Sequence, residues 1–242
     1  VELKDAPRRF SFPSLPLTAP SRESVHNKLN LVSYFLSALF LNFGVYSFWL
    51  VVPLLMKELG ATSFEIGVAN GISFGVQGLV APVCGKLADY LPAEILSRTG
   101  AVLNSVACIV CAIVYIDTTS LLPHTGILLI QAVGLAMFWS PIETLVGLQS
   151  FPGDESSNLS RLLICSSLGK AVGFLAGGAV VEMISMSYSL YLCAIFSSIP
   201  FVLMTRLPKN NTAPQPREPA DVEVELALLQ RDSTELTVEE MQ

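Results

Sequence analysis

The sequence predicts an all-α membrane protein, a bundle of six transmembrane helices. Three observations carry that expectation. The chain of 242 residues is 52% hydrophobic and only 14% charged, with a mean hydropathy of +0.58, too apolar and too poor in charge for an ordinary water-soluble domain. Its apolar residues gather into six stretches, each near the roughly 20 residues that a helix needs to cross about 30 Å of hydrocarbon. The apolar–polar alternation of membrane-barrel strands does not appear.

Taken in order, residues 1–30 form a polar lead in which Pro7, Pro13, Pro16 and Pro20 interrupt any helix, so a disordered segment is expected there. The first span, 31–56, carries Asn42, Tyr46 and Trp49 at i, i+4, i+7, a spacing that puts them on one face, and Pro53 extends the stripe. Asn70, Phe74 and Gln77 repeat that pattern in the second span, 64–87. The third, 100–116, contains Cys108 and Cys111, and the fourth, 125–148, sets Gln131 and Phe138 two turns apart. In the fifth, 162–184, Gly169, Gly173 and Gly177 recur every fourth residue, with Gly178 beside them. Such a stripe exposes bare backbone to a neighbouring helix, for tight packing or for a smooth gating surface. The sixth span is 187–204. Gly and Pro inside these segments are tolerated in membrane helices. The connections at 59–63, 117–124 and 185–186 are short, so successive helices are expected as antiparallel neighbours. Residues 31–206 thus read as the membrane domain, and 207–242, Pro-rich and then acidic, as a disordered tail or linker.

Charge sets the orientation. The formal net charge of −6 comes largely from the acidic tail and gives no indication of a nucleic-acid partner. Near the spans, ten Lys and Arg (Lys4, Arg8, Arg9, Arg22, Lys28, Lys86, Arg98, Arg161, Arg206 and Lys209) fall on the side of the N-terminus, and only Lys57 on the other. The positive-inside rule therefore predicts cytoplasmic termini, in either the plasma membrane or an organelle. The polar first thirty residues contain no secretory signal, so the first span is expected to serve as its own targeting signal. The chain begins at Val1, which leaves open that it is a piece of a longer protein.

Few residues could carry chemistry. The five cysteines lie in or at the edges of spans, and with only two histidines, His26 and His124, no four-ligand metal set assembles. No nucleophile–base pair and no phosphate-binding loop is present at membrane depth, so neither an enzyme nor a cofactor is expected. Charges inside spans are more informative, because an unpaired one is costly in hydrocarbon. Glu143 and Lys170 fall at similar apparent depths on the fourth and fifth spans, which predicts an intramembrane charge pair. Its role is structural or one in coupling; the alternative is that each side chain snorkels to the interface.

The run Gly85-Lys-Leu-Ala-Asp89, at the inner end of the second span and the turn after it, resembles the first half of the loop signature of the major facilitator superfamily. Tyr90, Pro92, Ala93 and Glu94 depart from its second half, leaving Arg98 as the one basic residue nearby. The resemblance implies a cytoplasmic gate motif of Gly85, Leu87, Ala88, Asp89 and Arg98; the alternative is that Asp89 only terminates a helix. Phe138-Trp-Ser-Pro-Ile-Glu143 and the Gly-rich fifth span are similar to the fourth and fifth helices of the family's N-terminal half. The fold implied is half of a twelve-helix carrier, two inverted three-helix repeats with the substrate site between halves. From the first and fourth helices it nominates Asn42, Tyr46, Gln131 and Phe138 for the substrate path. The function implied is transport of a small solute, with or without a coupling proton or ion, completed by a second six-helix half or by a homodimer. The alternative is a non-transporting scaffold or a truncated regulatory isoform that binds a full-length carrier.

Overall fold

The computed structural model describes residues 22–117, 121–151 and 153–206, and every regular element among them is an α-helix. In order these are α1 (Arg22–Glu58), α2 (Ser63–Tyr90), α3 (Ala93–Asp117), α4 (Leu121–Gln149), α5 (Glu155–Met183) and α6 (Met186–Thr205). All six are long and apolar enough to cross a membrane.

The helix ends correct the expected boundaries. α1 reaches back to Arg22, so the last nine residues of the predicted lead are helical. No proline follows Pro20 until Pro53, and a polar turn can continue the hydrogen-bond ladder beyond the hydrocarbon. The remainder of the lead, 1–21, and the tail, 207–242, lie outside the described residues. α5 starts at Glu155, seven residues before its apolar stretch. The turn into α2 is closed by Gly60 at φ +88° and by a capping box. In that box Thr62 Oγ1 accepts from the Glu65 N–H at 3.3 Å, and the Glu65 carboxylate accepts from the Thr62 N–H at 2.8 Å.

Packing does not follow chain order. α1 lies chiefly against α5 and α6, α4 against α3 and α2, and α3 against α6. Exchanging the first three helices for the last three maps each of these seams onto another or onto itself, which is the relation expected of two repeats. Contact register gives the directions. Residues 39, 43 and 47 of α1 meet Gly169, Gly173 and Gly177 of α5 in rising order, so the two helices run parallel. α2 and α4 are likewise parallel, since Ser73 Oγ donates to the Leu128 carbonyl at 3.0 Å and Gly85 meets Ser140 further along both. α3 and α4 are antiparallel: Ser97 Oγ donates to the Phe138 carbonyl, while Gly100 meets Gly134. Of the successive pairs only α3 and α4 pack extensively. A short link fixes where a helix begins, whereas small side chains decide which neighbour it can approach.

The interior divides along the bundle. Phe48, Val52, Leu55, Cys108, Cys111 and Cys193 pack together toward one end. Tyr34, Leu41, Phe138, Ile142 and Met204 do so toward the other, the end that carries Lys28, Lys86, Arg98, Arg161 and Arg206. At this basic end Asn30 donates to Gln149 at 3.0 Å, tying α1 to α4. The Asn158 amide donates to Ser150 Oγ at 2.9 Å, and Arg161 donates to Asn158 at 3.2 Å. His124, placed outside the spans by the sequence, is buried in the first turn of α4.

Candidate functional site

Four helices close round a cavity of about 350 Å³, within the range of small-molecule sites. Asn42, Tyr46 and Trp49 line it from α1, and Phe74 and Gln77 from α2. α4 contributes Leu135, Trp139 and Glu143, and α5 contributes Leu163, Ser166 and Lys170. Within each helix these residues recur every three or four positions, so each set is one helical face.

Aromatic rings shape the wall. Tyr46 and Phe174 stand perpendicular with ring centroids 5.2 Å apart, Tyr46 is tilted against Trp49 at 5.4 Å, and Trp49 and Phe74 are again perpendicular at 4.4 Å. The row crosses from α5 over α1 to α2. Trp49 is fixed further by its indole N–H, which donates to Gln131 Oε1 at 2.8 Å. Lys170 Nζ lies over the Tyr46 ring, 5.3 Å from its centroid, within cation–π range.

Of the four residues nominated for the path, Asn42 and Tyr46 border the cavity. Gln131 is fully buried one layer back, where it orients Trp49. Phe138 is a correction: it is fully buried in the core around Tyr34 and Ile142, and its neighbour Trp139 takes the cavity position. The signal lay in the sequence, because Leu135, Trp139 and Glu143 are spaced by four; pairing Gln131 with Phe138 seven residues on obscured it. Ser166 and Leu163 were missed as well, though with Lys170 they keep a three-and-four spacing.

The predicted charge pair is a second correction. Glu143 and Lys170 face the same cavity, yet the ion pair found among the described residues is Arg98–Glu94, at 3.8 Å. Depth explains the difference. Lys170 is fifteen residues past the start of α5 and Glu143 six before the end of α4, or about 22 Å and about 9 Å from the basic end at 1.5 Å per residue. The apolar pattern had placed the start of the fifth span at residue 162, which made these depths look equal.

The proposed gate motif is divided. Gly85 through Asp89 are helical, in the last turns of α2, and not in a loop. Gly85 lies against Ser140, where an added Cβ would come within 3.2 Å of the hydroxyl. Ala88 is buried with Cys84, Leu96 and Ala136, whereas Leu87 and Asp89 are exposed. Arg98 does not turn toward Asp89. It pairs with Glu94 and donates to the Met204 carbonyl at the end of α6, the favourable place for a cation at a helix C-terminus. On α5, Gly169, Gly173 and Gly177 all press on the α1 backbone, and Gly178 on the Leu50 side chain.

Six membrane-length helices in two exchangeable sets of three, with an aromatic and charged cavity between them, define a multi-pass membrane protein of the solute-carrier type. The family model of the Major Facilitator Superfamily matches residues 34–235, and the chain belongs to that superfamily. Its function at this level is transmembrane solute transport. No curated protein matches the chain.

Proposed function

We propose that the chain moves a small solute by alternating access, as one half of a secondary transporter, and that the cavity is its wall of the solute path. The supporting observation is how little α2 and α5 are covered. With α1 and α4 they line the cavity, and only 11% and 22% of their most apolar stretches is buried, against 50% in α3 and 39% in α6. Lipid against these uncovered faces, with access to the cavity, would leave Lys170 and Glu143 next to hydrocarbon, at a cost of several kcal/mol each. Protein is the partner that fits, either a further six-helix unit or a second copy of this chain. On this reading Asn42 and Tyr46 contact the solute, Gln131 positions Trp49, and the basic end faces the cytoplasm in accordance with the positive-inside rule.

Reconstitution into liposomes tests the reading. Vesicles carrying the chain should take up solute from a mixed metabolite pool saturably and above protein-free vesicles. Trp139→Ala should lower that uptake by about tenfold at equal folded protein, the scale on which a cavity-lining aromatic contributes. Uptake that Trp139→Ala leaves unchanged would place the path elsewhere.

A further inference from the structure

The cavity holds one carboxylate and one ammonium group, Glu143 and Lys170, and neither is neutralised by a protein charge, since the ion pair among the described residues lies elsewhere. Each keeps access to the cavity, Glu143 as an exposed side chain and Lys170 as a half-buried one. The ammonium is steadied over the Tyr46 ring, a contact that spreads its charge without cancelling it. Asn42, Gln77 and Ser166 add uncharged polar groups, and Trp49 and Trp139 add apolar wall.

We infer that the solute is amphoteric, a small molecule carrying an anionic group for Lys170 and a cationic group for Glu143. The inference rests on the cavity being a solute site, as proposed above. When the site closes and water leaves, each of these charges needs an opposite one, because an isolated charge in low dielectric is strongly destabilised. A neutral solute satisfies neither. An anion satisfies Lys170 and repels Glu143, and a cation does the reverse. A molecule with both groups pairs each charge by charge-assisted hydrogen bonds and leaves the site neutral. The anionic end then lies toward the end of the bundle opposite the basic residues, and the cationic end toward the basic side.

Isothermal titration of the purified chain in detergent distinguishes the cases. The probes are the ω-amino acids glycine, 4-aminobutyrate and 6-aminohexanoate, each compared with the fatty acid and the alkylamine of the same chain length. At least one amino acid should bind about tenfold more tightly than both of its singly charged relatives, the difference expected for one added charge-assisted contact. Glu143→Gln should bring that amino acid level with its fatty acid, and Lys170→Met should bring it level with its alkylamine. The wild-type comparison needs no variant, so it stands even if a substitution lowers the yield of folded protein. Singly charged probes that bind as tightly as the amino acids would overturn the inference while leaving the cavity a solute site. Absence of binding by every probe, amino acids and singly charged relatives alike, would likewise overturn the inference, while the uptake assay with Trp139→Ala decides the solute site separately.

Discussion

α2 and α5 occupy equivalent places in the two repeats, each running parallel to the first helix of the other repeat, and both are rich in glycine, yet they use it in opposite ways. On α5 the glycines face inward. A Cβ on Gly173 would come within 2.5 Å of the Phe43 carbonyl and 3.0 Å of its Cα, and one on Gly177 within 3.0 Å of the Ser47 Cα. On α2, Gly67, Gly71, Gly75 and Gly78 are exposed, and a Cβ there would meet nothing within 4 Å. The buried face of α2 instead carries Ala69, Ser73, Cys84 and Ala88. The same four-residue period therefore marks an internal seam on one helix and a bare outer face on the other. Small-residue spacing says that a close approach is available and not which surface uses it.

The sharpest way to break this contrast is Gly173→Leu. The atoms it would strike are backbone and cannot rotate away, so a loss of about 3 kcal/mol or more is expected, as for severe overpacking. Folded chain recovered by size-exclusion chromatography in detergent should fall to near zero; recovery at the wild-type level would mean that α5 does not lie on α1 as described.

A middle-sized effect separates the helix ends at the basic side. Arg98 closes the end of α6, whereas Asp89 at the end of α2 is exposed and unpaired among the described residues. Arg98→Gln removes a charged donor from the terminal carbonyl and should lower stability by about 1–2 kcal/mol, read as a drop in the thermal midpoint. Asp89→Asn should change stability by less than about 0.5 kcal/mol and yet reduce uptake, because its exposed carboxylate is available to a partner helix. If Asp89→Asn changes neither stability nor uptake, Asp89 is no more than a helix terminus.

The smallest effect is expected of Gly71→Leu. With open space beyond it, the substitution should leave the chain's own stability within about 0.5 kcal/mol while weakening any assembly formed through α2. Loss of folded chain, on the scale of Gly173→Leu, would erase the distinction between the two glycine faces.

The number and order of the helices were legible because crossing hydrocarbon demands long apolar runs, whereas their full lengths were not. The gate signature and the α5 glycines likewise pointed correctly to the superfamily. Relative depth was less legible. Apolarity marks where the hydrocarbon begins and not where a helix begins, and α5 extends seven residues past that point, enough to suggest a pairing of Glu143 with Lys170 that the structure does not make. The exchange of Phe138 for Trp139 had a related cause. Residues one apart differ by about 100° round a helix, so a face inferred from two distant positions can miss by one residue, whereas the run of Leu135, Trp139 and Glu143 fixes it. Arg98 was assigned to Asp89 by nearness in sequence, and only the seam between α3 and α6 reveals its carbonyl partner.

The walls of the cavity have an optical consequence. The chain contains two tryptophans, and both Trp49 and Trp139 border the cavity, the first with its indole N–H held by Gln131. Indole emission shifts with the polarity of its surroundings, and no tryptophan elsewhere in the sequence dilutes the signal. Intrinsic fluorescence therefore reports directly on what occupies the site, without a label, and Trp49→Phe and Trp139→Phe would divide the signal between its two sides.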